Sequence, residues 1–425
     1  MEMFEKHESQ IRGYCRAYPT VFKTAVNARQ TDENGKSYID FFAGAGVLNF
    51  GHNNPRMKDA MIAYLQEDGV LHSLDMYTTA KRHFIKEFVE TILTPRGMDY
   101  KLQFMGPTGT NAVEAALKLA RRVTGRRDVI AFTHGFHGMT LGALACTANS
   151  YFRDAAGVDL PHVIRAPFGC EPKCRGCKKG CGLPALEALR AQLMEGGSGL
   201  AKPAAFILEP IQAEGGVRVA GKAWLQALQQ LAKDTGALLI VDDIQAGCGR
   251  TGSYFSFDNM GISPDIITLA KGLGGAGTPI AMNLVKPEHD QHWQPGEHTG
   301  TFRGQGLSFV AGAAALQYFK DDSLMQEVCE KGKTMYACLE NLSAAFPKKK
   351  LEVRGKGMMQ AIDMQDGPLA KEIAAACFQK GLLIGPCGFG GKVLKLIPPL
   401  TIPYSDLEEG LGILANVIHN KLETA

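Results

Sequence analysis

Two tryptophans in 425 residues, no apolar run of membrane-spanning length and almost no excess of either charge sign set the first limits. A bilayer-crossing helix needs about 20 predominantly apolar residues, so no membrane segment is expected. Lysine and arginine number 46 against 43 aspartates and glutamates, a net charge of +3. That bias is too weak to argue for a nucleic-acid partner, and no basic block is long enough to supply one. The only concentrated lysines, Lys178-Lys179 and Lys348-Lys349-Lys350, read as solvated loops. Met1-Glu-Met-Phe-Glu-Lys-His-Glu8 has no apolar stretch behind it, which implies a cytoplasmic protein. Eleven cysteines in a chain of this size suggest reduced thiols instead of a disulfide scaffold, with one local exception.

What is present is ordinary globular material, 45% hydrophobic and 21% charged, enough for a large core and two domains. The pattern centres on Lys271. The apolar run Ile266, Ile267, Leu269 reads as a buried strand, and it ends in this amine followed at once by Gly272, Gly274 and Gly275. A partly buried lysine loses its ammonium proton more readily and can attack a carbonyl, so Lys271 is a candidate Schiff-base nucleophile. A strand-end lysine reaching solvent is the plainer alternative, and the surrounding stretches must decide.

Taken in order, Tyr38-Ile-Asp-Phe-Phe leads into the small residues Ala43 to Gly46, then Gly51-His-Asn-Asn-Pro55. Ala45 and Gly46 would let a ligand approach the backbone closely; a structural turn explains them equally. Arg56 to about Thr94 carries the spacing of two amphipathic helices. Leu102-Gln-Phe-Met then runs through Gly106-Pro-Thr-Gly-Thr110 into a strong helix. Free amides and the positive end of the dipole favour a phosphate there, with Thr108 and Thr110 adding hydroxyls, although an ordinary cap accounts for the same residues. After the strand Val129-Ile-Ala-Phe132, the glycine-flanked pair Phe136-His137 offers a ring that can lie on an aromatic cofactor or simply fill a core.

Cys170, Cys174, Cys177 and Cys181 lie within twelve residues, interleaved with glycine, proline and lysine. They can hold a structural zinc or an iron–sulfur cluster; loop thiols without a ligand and a disulfide remain alternatives. Further on, Ala205-Phe-Ile-Leu is a buried strand followed by Glu209 and Glu214 in a glycine-rich turn. Leu238-Leu-Ile-Val is another, ending at Asp242. Carboxylates at the carboxyl ends of strands stand where open α/β sheets place ligands, and a buried Asp242 is costly unless it meets a cation or several donors. Beyond an alanine-rich helix from about Ser308 to Phe319, the shift to short strands and helices marks a smaller domain. We expect residues 1–55 to pack with that small domain, 56–310 to form the large domain with 170–181 as an insertion, and 311–425 to form the small domain.

A phosphate cradle, an aromatic stacker, a buried aspartate and a glycine-flanked lysine, in this order, match the needs of pyridoxal 5′-phosphate. Gly106-Pro-Thr-Gly-Thr-Asn, Phe136-His-Gly-Met-Thr, Glu209-Pro-Ile-Gln-Ala-Glu-Gly-Gly, Val241-Asp-Asp-Ile-Gln-Ala-Gly-Cys-Gly-Arg-Thr-Gly and Leu269-Ala-Lys-Gly-Leu resemble the class III (ornithine and 4-aminobutyrate type) aminotransferases over nearly the whole chain. Asp40-Phe-Phe-Ala-Gly-Ala-Gly, Gly51-His-Asn-Asn-Pro, Ser73-Leu-Asp-Met and Gly300-Thr-Phe-Arg-Gly are similar to the diaminobutyrate branch of ectoine biosynthesis.

The resemblance implies the α/β fold type I of pyridoxal phosphate enzymes, a mostly parallel large-domain sheet beside a smaller α+β domain. It implies Lys271 and Asp242 as catalytic residues, and a cofactor site drawn also from Thr108, Gly109, Thr110, Phe136, His137, Glu209, Ile244, Gln245 and Thr301. Within that site Gly109 and Thr110 bind phosphate, Phe136 and Ile244 take the two ring faces, Gln245 meets the ring's 3-oxygen, and Thr301 reaches across from the other subunit of a homodimer. Higher association, to a tetramer, stays open. Substrate residues would be Glu214, Lys395, Ala45, Gly46 and Arg303. Most relatives place arginine where this chain has Lys395, a point charge in place of a bidentate fork. The reaction implied is amino transfer from L-glutamate to L-aspartate 4-semialdehyde, with another ω-amine transaminase or an aminomutase as alternatives.

Overall fold

A computed structural model describes residues 1–169 and 182–423, so Cys170, Cys174, Cys177 and Cys181 lie outside the described residues. The largest element is a seven-stranded sheet in the order 101–104, 282–285, 266–269, 238–242, 205–208, 129–132, 163–166. Its strands are parallel except Met282–Val285, which runs antiparallel to both neighbours and separates Lys101–Phe104 from the rest. The expectation of a mostly parallel sheet therefore holds with one inserted reversal.

Alternation along the strands explains why helices cover both faces. Ile130, Phe132, Phe206, Leu208, Leu239 and Val241 point into one core. Their neighbours Val129, Ala131, Ala205, Ile207, Leu238 and Ile240 point into another. The first core is roofed by helices such as Thr79–Phe88 and Lys222–Thr235, the second by Gly109–Thr124. Helix Gly109–Thr124 begins at the cap Thr108, whose oxygen accepts from the Asn111 amide, and stops at Gly125 in the left-handed conformation.

A third core joins the beginning of the chain to its end. Ala28, Ile39, Phe41 and Phe50 pack with residues of helices Ser323–Ala345, Gly367–Gln379 and Tyr404–Glu423. Leu382–Leu383 extends the sheet of 22–26, 29–32 and 37–40 by pairing parallel to Ser37–Asp40. The antiparallel strands 352–356, 359–363, 393–396 and 385–387 form a further sheet. Among the described residues no helix is long and apolar enough to cross a membrane.

Candidate active site

Register places the chemistry on one edge. In the parallel sheet Val241 is level with Leu208, and Asp242 with Thr268. Asp242, Glu209 one residue past its strand, and Lys271 two residues past its own therefore emerge together at the carboxyl ends. Lys271 adopts φ +50°, a left-handed backbone uncommon for a residue with a Cβ and a feature concentrated at functional sites. Gly272 follows because a Cβ there would stand 2.5 Å from Asn49 Nδ2.

The Lys271 amine is half-buried and, among the described residues, makes no hydrogen bond or ion pair. Burial lowers its pKa; the charge of Glu214 opposes this and that of Lys395 adds to it. Asp242 is 4% exposed. Its Oδ2 lies 2.8 Å from His137 Nδ1, and its Oδ1 accepts from the Ile244 amide at 3.2 Å. No lysine or arginine pairs with it among the described residues. His137, expected among the groups on the cofactor, is thus the orienting partner of Asp242, and its own amide donates to Thr147 Oγ1.

Glu209 is buried and accepts from the Phe136 amide at 2.8 Å. Its pKa is raised well above the usual carboxylate range by burial and then by the charge of Asp242. Phe136 is half-buried with its ring edge-on to Phe152, centroids 5.7 Å apart. Ile244 lies over the start of helix Gly109–Thr124, where a Cβ on Gly109 would come within 2.9 Å of Ile244 Cδ1. The amides of Gly109 and Thr110 have no acceptor among the described residues, as the first turn of a helix allows. Both threonine hydroxyls are engaged: Thr110 with Thr140 at 2.6 Å, and Thr108 as acceptor of two bonds from Asn111.

Glu214 and Lys395, 181 positions apart, form an ion pair, and Lys395 Nζ also donates to Gln245 Oε1 at 3.1 Å. Lys395 is 3% and Glu214 30% exposed. Burial raises the Glu214 pKa, but the charges of Lys395 and Lys271 outweigh it and leave the carboxyl at about 2. Gln245 Nε2 donates to the Ala45 carbonyl at 2.7 Å, so the residue expected at a ring oxygen is held at both ends by the chain itself. Tyr14 reaches this pair from helix Tyr14–Ala17: burial and then the Glu214 charge raise its pKa, and its ring packs 5.1 Å from Phe42.

Ala45 can present its carbonyl because Ala43, Gly44, Ala45 and Gly46 all have positive φ, 46°, 59°, 58° and 84°. Two alanines in that region cost about 1–2 kcal/mol each. Asp40 compensates, accepting from the amides of Phe42 at 2.8 Å and Ala43 at 2.7 Å while its other oxygen meets His52 and Gln30. Asp40 is a supporting residue that the sequence reading passed over; a carboxylate two and three residues before a small-residue turn was the available signal. Arg250, fully buried, was also missed: it bonds Asn49 Oδ1 at 2.6 Å and the Pro398 carbonyl, tying the Asp242 loop to both ends of the chain.

Two expected residues are not gathered with this cluster. Arg303 pairs with Asp75 and donates to the His298 carbonyl, and Thr301 is exposed on the same loop. Among the described residues no group of three His, Cys, Asp or Glu side chains is disposed to hold a metal.

An unpaired amine, a buried carboxylate with no cationic partner and two free amides at a helix start fit an aromatic aldehyde that carries a protonated ring nitrogen and a phosphate. The family model Aminotransferase class-III matches residues 14–418. The chain is 51% identical over 418 residues to a diaminobutyrate–2-oxoglutarate transaminase of Wolinella succinogenes, covering 98% of this chain and 96% of that one. It is 48% identical over 424 residues to a protein of the same name from Halalkalibacterium halodurans, with 100% and 97% covered. A solved ornithine aminotransferase of Toxoplasma gondii, described with partial occupancy of PLP at the active site, superposes with a TM-score of 0.84 at 26% identity over 100% of this chain and 94% of the other.

Proposed function

The chain belongs to the class III aminotransferases, pyridoxal 5′-phosphate enzymes of fold type I, and on that premise we propose that it interconverts L-glutamate plus L-aspartate 4-semialdehyde with 2-oxoglutarate plus L-2,4-diaminobutyrate. The substrates rest on the names of relatives matched over almost their full length. The chemistry rests on one observation: the Lys271 amine, unpaired and lowered in pKa, on the same sheet edge as Asp242.

Pyridoxal phosphate, when bound, supplies an electron-accepting ring on which an amino group is exchanged. Lys271 Nζ would hold it covalently and would act as the base for the substrate carbon bearing nitrogen. Asp242, oriented by His137 and the Ile244 amide, keeps the proton on the ring nitrogen. The amides of Gly109 and Thr110 take the phosphate at the positive end of helix Gly109–Thr124. Phe136 and Ile244 would flank the ring and keep water from it. Lys395 Nζ, between Glu214 and Gln245, is the cation that meets a substrate carboxylate, with Glu214 as the counter-charge it exchanges.

The active unit we propose is a homodimer in which Thr301 completes the partner's phosphate site. Supporting this, Leu71, Leu74, Met76, Tyr77 and Phe302 expose apolar surface on two segments tied together by the Ser73 amide and the Gly304 carbonyl. Seven free thiols among the described residues suit a reducing, cytoplasmic setting.

The test is steady-state transfer by purified protein with added cofactor, offering 2,4-diaminobutyrate, ornithine, 4-aminobutyrate and β-alanine against 2-oxoglutarate and pyruvate. Preference for diaminobutyrate with 2-oxoglutarate is expected. Preference for another amine would discard the substrate and keep the chemistry.

A further inference from the structure

Asp242 begins a row of polar side chains that crosses the sheet. Register sets it level with Thr268, Thr268 with Asn283, and Asn283 with Gln103, one residue from each of four neighbouring strands. Residues level with one another share a face, and this face is the one covered by helix Gly109–Thr124. The flanking rows are apolar. Ile240, Ile266 and Val285 precede it, and Ala270, Ala281 and Met105 follow it.

A polar row within such a face is costly unless each member finds a partner. Asp242 has two, His137 and the Ile244 amide. Thr268 and Asn283 are 0% exposed and Gln103 is half-buried. Thr268 Oγ1, Asn283 Oδ1 and Gln103 Oε1 are all closed off from solvent without a hydrogen-bond partner among the described residues. Asn283 Nδ2 donates to the Ala112 carbonyl at 3.0 Å, which decides which end of this amide is nitrogen and leaves its oxygen a bare acceptor. The helix meets this part of the sheet with Ala112 and Ala115, which send no polar side chain and little volume toward the row. Neighbouring members stand about 4.8 Å apart, one strand spacing. One water spans that gap with a hydrogen bond to each side. Gln103, at the far end, lines a cavity of about 810 Å³ with Tyr77 and Arg303, from which water can enter.

Resting on the transaminase reading above, we propose that Thr268 is a positioning residue for Asp242, acting through a water-bridged row that includes Asn283 and Gln103. The direction of the row follows from its groups. An amide oxygen only accepts, so a water between Asn283 and Thr268 gives one hydrogen to Asn283 Oδ1 and the other to Thr268 Oγ1. The threonine's own hydrogen is then left for the next water, and that water donates to Asp242. The carboxylate gains a third donor, which holds its negative charge toward the cofactor's ring nitrogen.

The experiment compares wild type, Thr268→Val and Thr268→Ser, each saturated with cofactor. Valine keeps the branch and the volume and removes the hydroxyl. If that hydroxyl closes the row, Thr268→Val lowers the thermal midpoint by about 1–3 °C. A midpoint that is unchanged or raised, the result of replacing an unbonded buried hydroxyl by a methyl group, overturns the row. The second reading is the magnetic resonance of cofactor isotopically labelled at its ring nitrogen. A carboxylate with one donor fewer draws the shared proton toward itself. Thr268→Val therefore moves the resonance toward its unprotonated position and lowers kcat about 3- to 10-fold, with KM for the amino donor within about twofold. Thr268→Ser, which retains a hydroxyl, keeps the wild-type resonance. A resonance that stays in place in Thr268→Val overturns the action on Asp242 and leaves the transaminase reading standing. A wild type whose ring nitrogen is itself unprotonated overturns the reading of Asp242, and this role of Thr268 with it, before any variant is made.

Discussion

Replacing Lys395 by methionine removes one partner of a buried ion pair while keeping much of the side chain's volume. The charges of Lys395 first and Lys271 second hold Glu214 at about 2 against an ordinary 4.5. At about 1.36 kcal/mol per pKa unit this is worth about 3.4 kcal/mol. Glu214 is 30% exposed, so screening reduces the figure to about 2–3 kcal/mol. Removing one partner also strands a charge that burial already disfavours, which for buried pairs costs about 3–5 kcal/mol. We therefore predict that Lys395→Met lowers unfolding stability at pH 7.5 by about 2–4 kcal/mol, read from urea midpoints.

The sign follows from Glu214. Its folded pKa is depressed, so its contribution is complete above 4.5 and is lost as pH falls from 4.5 toward 2. In the variant the carboxyl has lost its cation and moves upward in pKa. The gap between wild type and variant is thus widest at neutral pH and closes on acidification. Adding Glu214→Gln to Lys395→Met should restore most of the loss, giving a double-mutant coupling of about 2–3 kcal/mol. A coupling below about 0.5 kcal/mol, or a gap that does not change with pH, would refute the assignment of this pair as the main determinant of Glu214's charge.

Lys271→Ala should lower amino transfer by at least about 10³-fold in both half-reactions, measured by single-turnover kinetics; near-normal turnover would remove Lys271 from the mechanism. Asp242→Asn should retain cofactor but lose about 10²–10³-fold in rate, and unchanged kcat would show that the ring nitrogen's proton does not depend on this carboxylate. Asp243 is fully buried, and burial raises its pKa to about 7 despite donation from the Ser256 amide and hydroxyl. A raised carboxyl binds its proton more tightly when folded, so stability falls as pH rises from about 4 to 7 and is flat above. Asp243→Asn should flatten that slope by about 2 kcal/mol between pH 5 and 7; parallel wild-type and variant profiles from urea melts would contradict the burial argument.

What was legible in the sequence was local. Strand, turn and helix follow one another within a dozen residues around Gly109, Asp242 and Lys271, so apolar runs and their terminating glycines mark those positions directly. What was not legible depends on pairings between distant segments. Met282–Val285 reads as one more buried strand, and nothing in its composition announces that it runs antiparallel between 101–104 and 266–269. The hydrogen bond from His137 to Asp242 spans 105 positions and that from Asn49 to Cys248 spans 199.

Two carboxyls five residues apart show how the fold assigns charge. Glu209 follows strand Ala205–Leu208 and Glu214 follows the short strand Ile211–Gln212, yet burial and Asp242 raise the first while Lys395 and Lys271 lower the second. The difference is the cation: Lys395 reaches Glu214 from a strand in the other half of the chain, whereas Glu209 receives one backbone amide from Phe136. Burial and the Asp242 charge both push Glu209 toward its neutral form, which lessens the negative charge it sets beside Asp242. Glu214, held at about 2, stays ionised and balances Lys395. Titratable neighbours driven apart in this way define which groups hold protons and which hold charge, and here the split lies beside the Lys271 amine, whose pKa burial lowers.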